Sequence, residues 1–570
     1  MKMYFKQLFA VLFAAVLMTT VLPGSLSAEE PQYGGTLRVL SQYAFIPALS
    51  WDNYDWNWKH GHDTGLVLEH LMAGDLEKGP RGSDEFDFHG NAWWPPEVRK
   101  GELAESWEVK EDPLRIEFKL REGIYWQEKP GVMESRELVA EDVAHSLNRV
   151  LESPKAISGY TYYVDHWEAL DKYTVAMYMK EWNWNWWYHW TMSYYGAIQP
   201  QEMTEAGPKD WKNMCGTGPF MLKKYDDGRA MHFTRNDNYW DQVPIDDDSY
   251  QLPFLDEIRE LLIYDEGSRI SALRTGKVDM HMYISWRDVD SLKKTNPELR
   301  WEKVLAPSPL TLALRNDTEP FDDIRVRRAL NLAVDQKEIV DKYYEGNAEL
   351  IGYPYPATWE GYFTPLEELP PKARELFEYD PEKAKKLLAE AGYPDGFTFT
   401  TQLSSATRVS SETAQLVASY LAKIGVNMKL DTMEYSSYLS KMTNKTHSAG
   451  YLLSNDHGNP IAVLRKNFET GETWNPYIFD DEYFNKELQK IRSDLSMGEE
   501  ERKERLKDLN VYVLEKAPAI WLPGGYVYTA WWPWVKNYYG EQRVGCIRPG
   551  PIWARIWIDQ ELKKEMGYAD

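Results

Sequence analysis

Stretches of alternating polarity and stretches of helical periodicity are interleaved along the chain, without a repeat of fixed period. Residues 35–40, with the sequence GTLRVL, are typical of an edge of a buried strand. In Leu114–Leu120 a two-residue period places Ile116, Phe118 and Leu120 on one face of a second strand. Alternation of strands with helices throughout a chain predicts an α/β protein.

Helical segments are recognised by apolar residues three or four positions apart and by residues that favour helix ends. The pattern predicts helices at about 324–344, 380–392 and 412–424, the last followed by Gly425 and a strand at 426–430. In the second helix, Asp380 is a suitable N-cap, Pro381 occupies the first turn and Gly392 follows the last turn.

The N-terminus has the features of a secretory signal peptide. Lys2 and Lys6 precede an apolar run at 8–22, and small residues follow at 25–28. An apolar run of about 15 residues is too short to span a membrane, which takes about 20. There is no cysteine near the predicted cleavage site after Ala28, so we expect export without a lipid anchor, into a Gram-negative periplasm.

Length and charge restrict the class of protein. A chain of 570 residues exceeds the length at which single cores stop growing, so more than one domain is expected. The formal net charge of -24 argues against nucleic acid and anionic lipid as partners, since both require a cationic surface. Cys215 and Cys546 permit one disulfide, but their spacing does not show whether they pair.

Aromatic residues are unusually frequent, with 25 tryptophans and 37 tyrosines. Such side chains stack on sugar rings or peptide groups, and they also fill interfaces between domains. The densest cluster lies at 182–190, where strand alternation would place Trp182, Trp184 and Trp186 on one face. A stacking platform and a stiff interface between domains are both consistent with this pattern.

Short motifs occur in a specific order over nearly the whole chain. They are 34–38 (GGTLR), 103–109 (LAESWEV), 118–126 (FKLREGIYW), 140–143 (AEDV), 216–220 (GTGPF), 235–240 (RNDNYW), 273–279 (LRTGKVD), 320–330 (PFDDIRVRRAL) and 517–520 (APAI). In this order they resemble the family 5 extracellular solute-binding proteins, the oligopeptide-, dipeptide- and nickel-binding receptors of ABC importers.

The resemblance implies an α/β protein with a type II periplasmic-binding fold. Such a fold has two lobes joined by crossing segments, here with an extra domain inserted in lobe I. Placed on this chain, the parts are the signal peptide at 1–28, lobe I at 29–54, 196–306 and 526–570, the inserted domain at 55–195, and lobe II at 307–525.

The same resemblance indicates one principal ligand contact. In peptide-binding members, an aspartate four residues before a proline pairs with the α-ammonium of the ligand. Asp456 stands four residues before Pro460 and is the corresponding residue. A loop aspartate that caps its own turn is an equally simple interpretation. The neighbouring Asn455 both donates and accepts hydrogen bonds, which suits recognition of hydroxyl groups.

Four aromatic residues complete the predicted ligand site. Tyr283 and Trp286 follow the 273–279 motif, where the family has a strand that leads into the cleft. Tyr435 matches an aromatic cleft position before a helix, and Trp521 lies where the chain returns to lobe I. Packing in a core or at the hinge is the alternative role for each of them, because most buried aromatics serve packing.

Metal binding and catalysis have little support in the sequence. His60, His62 and His70 are close in sequence, but histidines two positions apart converge on one point from a strand and not from a helix. Without a matching set of further ligands, no metal and no cofactor are expected. The chain has no Gly-x-Ser-x-Gly elbow, phosphate-binding loop or His-Glu-x-x-His motif, so we expect no enzyme activity. A secreted hydrolase is the alternative class.

The sequence thus predicts a monomeric periplasmic receptor that captures an oligopeptide-class solute and delivers it to the membrane permease of an ABC importer. An oligosaccharide is the alternative ligand, favoured by the excess of tryptophan and by Asn455. A nickel or other metal chelate is a weaker alternative within the same family.

Overall fold

The computed structural model describes residues 29–43, 48, 50–78, 81, 86, 88–89, 94–245, 248–306, 308–405, 408–454 and 458–568. The predicted signal peptide at 1–28 and the predicted contacts Asn455 and Asp456 lie outside the described residues. No helix in the described part of the chain combines the length and apolar character needed to cross a membrane.

The strands are spread over the whole described chain. They are β1 (Thr36–Leu40), β2 (Met72–Gly74), β3 (Arg99–Gly101), β4 (Ala104–Glu111), β5 (Leu114–Leu120), β6 (Val164–Asp171), β7 (Thr174–Met179), β8 (Phe220–Asp226), β9 (Ala230–Arg235), β10 (Gln242–Ile245), β11 (Asp248–Gln251), β12 (Glu257–Leu261), β13 (Met280–Ser285), β14 (Arg300–Leu305), β15 (Leu310–Leu314), β16 (Ala348–Glu349), β17 (Thr398–Ser404), β18 (Asn427–Met433), β19 (Gly450–Ser454), β20 (Ala519–Ile520), β21 (Gly524–Trp531), β22 (Val535–Lys536) and β23 (Trp557–Ile558).

Helices alternate with these strands. They are α1 (His60–Thr64), α2 (Ala140–Leu151), α3 (Ser158–Thr161), α4 (Trp186–Thr191), α5 (Gln201–Ala206), α6 (Glu266–Arg274), α7 (Trp286–Thr295), α8 (Ile324–Leu332), α9 (Gln336–Glu338), α10 (Pro371–Arg374), α11 (Pro381–Glu390), α12 (Arg408–Ala422), α13 (Tyr435–Thr443), α14 (Pro460–Phe468), α15 (Glu482–Ser493), α16 (Glu499–Lys516), α17 (Gly550–Arg555) and α18 (Gln560–Glu565).

Three sheets organise the fold. The largest has the strand order β14-β21-β13-β1-β12-β9-β8, with β16 paired to β21, and a smaller one has the order β18-β17-β19-β15-β20. A third, antiparallel sheet has the order β4-β5-β7-β6. We propose that the largest sheet marks lobe I, the smaller sheet lobe II and the antiparallel sheet the inserted domain.

The chain crosses between the two larger sheets where β14 leads to β15 and again where β20 leads to β21. At both crossings the strands are neighbours, because β14 pairs with β21 in one sheet and β15 pairs with β20 in the other. The Ala306 amide also donates to the Gly525 carbonyl oxygen at 2.9 Å, so the crossing segments run side by side. This arrangement is that of a two-stranded hinge.

Several predicted elements are confirmed. The strand Leu114–Leu120 is β5, with Ile116, Phe118 and Leu120 fully buried. The strand at 36–40 is β1, which lies in the interior of the largest sheet and not at its edge. In α11 the Asp380 carboxylate accepts from the Lys383 amide, as an N-cap does, and Gly392 after the helix has φ of 96°.

Two predicted elements are wrong in detail. The helix predicted at 324–344 ends at Leu332, because Asp335 accepts from the Glu338 amide and begins a new helix, α9. The strand alternation predicted at 182–190 is absent, since α4 covers Trp186–Thr191. Asn183 accepts from the Asn185 amide two residues on, which makes a turn before that helix.

Buried ionisable groups join the C-terminal segment of lobe I to the inserted domain. Both terminal nitrogens of Arg548 lie 2.8 Å from the carboxylate oxygens of Glu102, and both side chains are buried. Glu69 is buried nearby and accepts from the Tyr239 hydroxyl at 3.0 Å and from the Trp240 indole at 3.1 Å. Burial, together with the charge of Glu102, raises the pKa of Glu69 to about 8.

Cys215 and Cys546 are both buried thiols.

The raised pKa of Glu69 predicts a pH-dependent stability. Glu69 holds its proton in the folded protein up to about pH 8, whereas the unfolded chain releases it near the ordinary value of 4.5. The unfolded state therefore binds fewer protons between these values, and stability falls as pH rises through this window. We expect Glu69→Gln to raise the melting temperature relative to the wild type, by an amount that grows from pH 5 to pH 8.5.

Thermal unfolding at both pH values measures this difference. Glu102→Gln is the comparison variant. It removes the partner of Arg548 and should lower the melting temperature at both pH values, and it also removes a charge that raises the pKa of Glu69, so it should weaken the pH dependence. An equal effect of Glu69→Gln at pH 5 and pH 8.5 would contradict the assignment.

Candidate functional site

Two tyrosines lie at the carboxyl ends of parallel strands in lobe I. β1 runs parallel to β12 and to β13, and Tyr43 follows β1. Tyr283 lies near the end of β13. In open α/β sheets, ligands bind in the crevice beyond the carboxyl ends of the strands, and these tyrosines therefore stand at the edge where a ligand is expected.

The backbone at Tyr283 is unusual. Its φ of 63° is left-handed, and the pairing of β13 with β21 shifts register between His281 and Ile284. Such bulges re-aim a side chain and cluster at binding sites, and a left-handed non-glycine residue costs about 1–3 kcal/mol. The bulge turns Tyr283 out of the regular strand pattern at the position that the sequence predicts for a ligand contact.

Arg543 links the two tyrosines. One terminal nitrogen of its guanidinium donates to the Tyr283 hydroxyl at 2.8 Å and to the Tyr43 hydroxyl at 3.0 Å. The arginine is 3% exposed and comes from the C-terminal segment. A cation thus lies behind two hydroxyl groups at the crevice of lobe I.

Trp58 and Tyr435 extend this group across to lobe II. The Trp58 ring packs edge-on against Tyr43 with centroids 5.1 Å apart. Tyr435 begins α13 after β18, and burial raises its pKa in spite of a side-chain hydrogen bond with Trp58. Tyr43, Trp58, Tyr283, Tyr435 and Arg543 together form a contact between the lobes, the cleft cluster.

Buried ionisable side chains pack against the cleft cluster. The ring of His62 packs edge-on against Tyr43, and its two nitrogens lie 3.3 Å from Asp63 and 3.3 Å from Glu260. Lys59 lies 2.8 Å from the same Asp63 oxygen. All four ionisable side chains are at most 4% exposed. Lys59 and Asp63 form a buried ion pair, and the His62 ring lies between Asp63 and Glu260, so this group packs α1 against β12.

The histidines do not converge on a common point. His60 and His62 lie in the helix α1, and the His60 ring contacts the carbonyl oxygens of Tyr194 and Trp51. The His70 ring contacts the Ser193 carbonyl oxygen at 2.9 Å. Burial lowers the pKa of His60 and His70, so both are neutral at pH 7. Within the described residues, no group of three or more potential ligands could hold a metal ion.

Trp521 lies in a packed interior, whereas Trp286 lies at the contact between the lobes, outside the cleft cluster. Trp286 begins α7 and packs among lobe II residues, with its ring 4.8 Å from that of Tyr344. Trp521 follows β20 and is 1% exposed, and its backbone amide donates to the Asn331 side chain. The structure thus brings Tyr283 and Tyr435 into the cleft cluster and places the two tryptophans elsewhere. Their predicted roles as ligand contacts stay predictions.

Three residues of the cleft cluster were not predicted from the sequence. Tyr43 carries a usable signal, because it follows the first strand of a parallel group. Trp58 and Arg543 carry none, since Arg543 lies 260 positions from Tyr283 and meets it through tertiary contacts alone.

Ion pairs also connect the lobes. Arg287 at the start of α7 lies 3.0 Å from Glu412 of α12, which also accepts from the Tyr343 hydroxyl at 2.8 Å. Arg408 at the start of α12 lies 3.3 Å from Glu266 of α6. These helices begin at the crevice side of their sheets, so the pairs bridge the two lobes beside the cleft cluster.

Substitutions can separate ligand contact from packing. We expect Tyr435→Ala to weaken binding of a small-molecule ligand about tenfold while leaving the unfolding free energy of the ligand-free protein nearly unchanged. Trp521→Ala should instead cost about 3–5 kcal/mol of that free energy, because it opens a cavity in a core. Calorimetric titration and denaturant unfolding measure the two effects. A Tyr435→Ala variant with lowered stability and unaltered affinity would contradict the assignment of Tyr435.

Known proteins resemble this chain over most of its length. Heme-binding protein A of Haemophilus influenzae is 27% identical over 74% of this chain and 78% of its own length. The dipeptide-binding protein of Escherichia coli is 25% identical over 76% of this chain and 83% of its own length.

The solved structures include a similar fold. The periplasmic binding protein DppA of Helicobacter pylori, associated with an ABC transporter and solved with the peptide STSA, superposes with a TM-score of 0.75 at 23% identity. The match covers 93% of this chain and 99% of that chain, and the predicted type II periplasmic-binding fold is confirmed. A model of the bacterial extracellular solute-binding proteins, family 5 Middle, matches residues 99–472, more than half of the chain, and the protein therefore belongs to the family 5 solute-binding proteins of ABC importers.

Proposed function

We propose that this protein captures an oligopeptide-class solute between its lobes in the periplasm and delivers it to the permease of an ABC importer, acting as a monomer. The cleft cluster is the observation that carries this proposal. It joins aromatic side chains, hydroxyl groups and one arginine from both lobes at the carboxyl ends of parallel strands. The similar proteins are solute-binding proteins and not enzymes.

Peptide chemistry suits this cluster. Flat peptide groups pack against aromatic rings, tyrosine hydroxyls donate to and accept from the peptide backbone, and a buried guanidinium favours a carboxylate. The similar proteins include one named for dipeptide binding and one solved with a bound peptide. Asp456, which lies outside the described residues, would supply the opposite charge for the α-ammonium group.

An oligosaccharide is the second candidate ligand. Tyr43, Trp58, Tyr283 and Tyr435 are each partly buried and bring ring surfaces together at one place. Sugar rings stack on such surfaces, and the neighbouring hydroxyl groups match those of a sugar. Asn455, also outside the described residues, would add an amide to this set.

A thermal-shift screen decides between these ligands. The panel contains di- and tripeptides, oligosaccharides, Ni²⁺ with free histidine, and hemin. A ligand present at about 100 times its dissociation constant stabilises the folded protein by about 2.7 kcal/mol, which gives a clear rise in melting temperature. We expect peptides to give this rise, and a rise with oligosaccharides alone would replace the peptide proposal by the second candidate.

Asp456 provides a test of charge recognition. We expect Asp456→Asn to weaken binding of a peptide at least tenfold and to leave binding of the same peptide with an acetylated amino group nearly unchanged, because the acetyl group removes the cation that Asp456 pairs with. Isothermal titration of both peptides measures this. Equal losses for the two peptides would exclude an ammonium contact at Asp456.

The ion pair between Arg287 and Glu412 predicts a salt-dependent affinity. The pair is partly exposed, so it contributes at most about 1 kcal/mol to the closed form, and salt screens it. We expect Glu412→Gln to weaken ligand binding about two- to fivefold at low salt and to reduce the further loss seen at about 0.5 M salt.

Titration at low and high salt measures this effect. Asp323→Asn is the matched control, because Asp323 pairs with Arg325 inside lobe II and should leave affinity unchanged. A full salt dependence in Glu412→Gln would show that the pair does not act in closure.

A further inference from the structure

The inserted domain is fixed to lobe I by buried contacts. The Gln127 side-chain amide donates to the carbonyl oxygens of Gly218 and Phe220, each at 2.9 Å. The buried ion pair between Glu102 and Arg548 joins the segment next to β4 to the C-terminal segment. Separating a buried ion pair leaves two uncompensated charges, so we infer that the inserted domain and lobe I move as one body.

The inserted domain also touches lobe II directly, through residues outside the two crossing segments. A continuous row of polar side chains crosses this interface. The Tyr163 hydroxyl lies 2.9 Å from Nδ1 of His189, Nε2 of His189 lies 3.0 Å from the Asn185 amide nitrogen, and the Asn459 amide nitrogen donates to the Asn185 oxygen at 2.8 Å. All four side chains are fully buried.

Each group in this row has a defined role. Burial and the charges of Arg465 and Arg492 lower the pKa of His189 well below its usual value, so the ring is neutral. Its Nε2 accepts from Asn185, and its Nδ1 proton is then directed at Tyr163. The Asn459 oxygen accepts from the Ala462 amide and caps α14. One side chain of lobe II therefore caps a helix and bonds the inserted domain at the same time.

Arginines of lobe II cover aromatic rings of the inserted domain beside this row. The pairs, from guanidinium carbon to ring centroid, are Arg465–Tyr160 at 4.3 Å, Arg492–Tyr162 at 5.5 Å and Arg502–Trp184 at 5.1 Å. The Trp184 amide also donates to the Arg492 carbonyl oxygen at 2.7 Å. Contacts of this kind gain strength when water is excluded from them.

We propose that these contacts form when the lobes close on the ligand and separate when they open, and that Asn459 and Asn185 are positioning residues for ligand capture. These contacts form the clasp. Its inserted-domain side consists of Tyr160, Tyr162, Trp184 and Asn185, and its lobe II side consists of Asn459, Arg465, Arg492 and Arg502. In this proposal the tryptophan-rich segment at 182–190 contributes to closure of the lobes. The inference rests on the proposed function, because it requires a cleft that closes on a solute.

The inserted domain moves with lobe I, and the described chain joins lobe I to lobe II at the paired crossings β14–β15 and β20–β21. A rotation about these crossings displaces every contact of the clasp. A contact present in the closed form alone adds its free energy to ligand affinity and nothing to the stability of the open form.

Spin-label distances test whether the clasp opens. Glu108 in β4 and Lys486 in α15 are exposed, so cysteines placed there can be labelled while Cys215 and Cys546 stay buried. We expect double electron–electron resonance on the ligand-free protein to show a component several ångströms longer than the distance in this structure. A single distance that agrees with the structure, without any ligand, would overturn the proposal.

Asn459→Asp tests the positioning role. Aspartate still caps α14 but cannot donate to Asn185, so it disfavours the clasp without harming the open form. We expect an unchanged melting temperature of the ligand-free variant, a larger long-distance component, and about tenfold weaker binding of trialanine. A melting temperature lowered by several degrees with unaltered affinity would show a permanent interface.

Asn331→Asp is the matched control. Asn331 is fully buried in lobe II and donates to the Ala519 carbonyl oxygen at 2.8 Å, so the same substitution should lower the ligand-free melting temperature. The distance measurement needs no ligand and stays decisive if trialanine gives no thermal shift in the wild type. The absence of a thermal shift with trialanine would count against the peptide proposal and not against the clasp.

Discussion

The pairing of β14 with β21, continued in lobe II by the pairing of β15 with β20, is the constraint on which the architecture depends. Two adjacent strands carry the chain from one sheet to the other, so the covalent connections between the lobes lie side by side along one line. The edges of both sheets then face each other across a cleft. Contacts between side chains of the two bodies, such as Asn185 with Asn459, are displaced by a rotation about this line.

The cleft combines two kinds of surface with different physical roles. Near the strand ends, tyrosine and tryptophan rings lie around one arginine, which donates to two tyrosine hydroxyls. Around them, ion pairs and arginine–aromatic contacts join protein to protein. The abundance of aromatic residues thus has no single explanation, since Tyr283 belongs to the first surface and Trp184 to the second.

Local signals in the sequence predicted those parts of the fold that local chemistry determines. The alternation of apolar and polar residues predicted the bounds of β5 correctly, and the N-cap at Asp380 predicted where α11 begins. The end of α8 at Leu332 was not predicted. Apolar periodicity continues through Asp335, and the sequence alone does not show that this aspartate caps a new helix. Arg543 could not be placed in the site, since its contacts with Tyr43 and Tyr283 depend on how the C-terminal segment crosses lobe I.

The position of β21 in the sheet of lobe I determines the order in which the protein can fold. This strand, at 524–531, lies between β14 and β13, and Arg548 beyond it pairs with Glu102 near the other end of the chain. Lobe I therefore cannot complete its sheet until almost the entire chain has been synthesised. Such non-local pairing forms slowly, so a newly made chain stays incompletely folded for longer than a chain whose sheets are built from local hairpins.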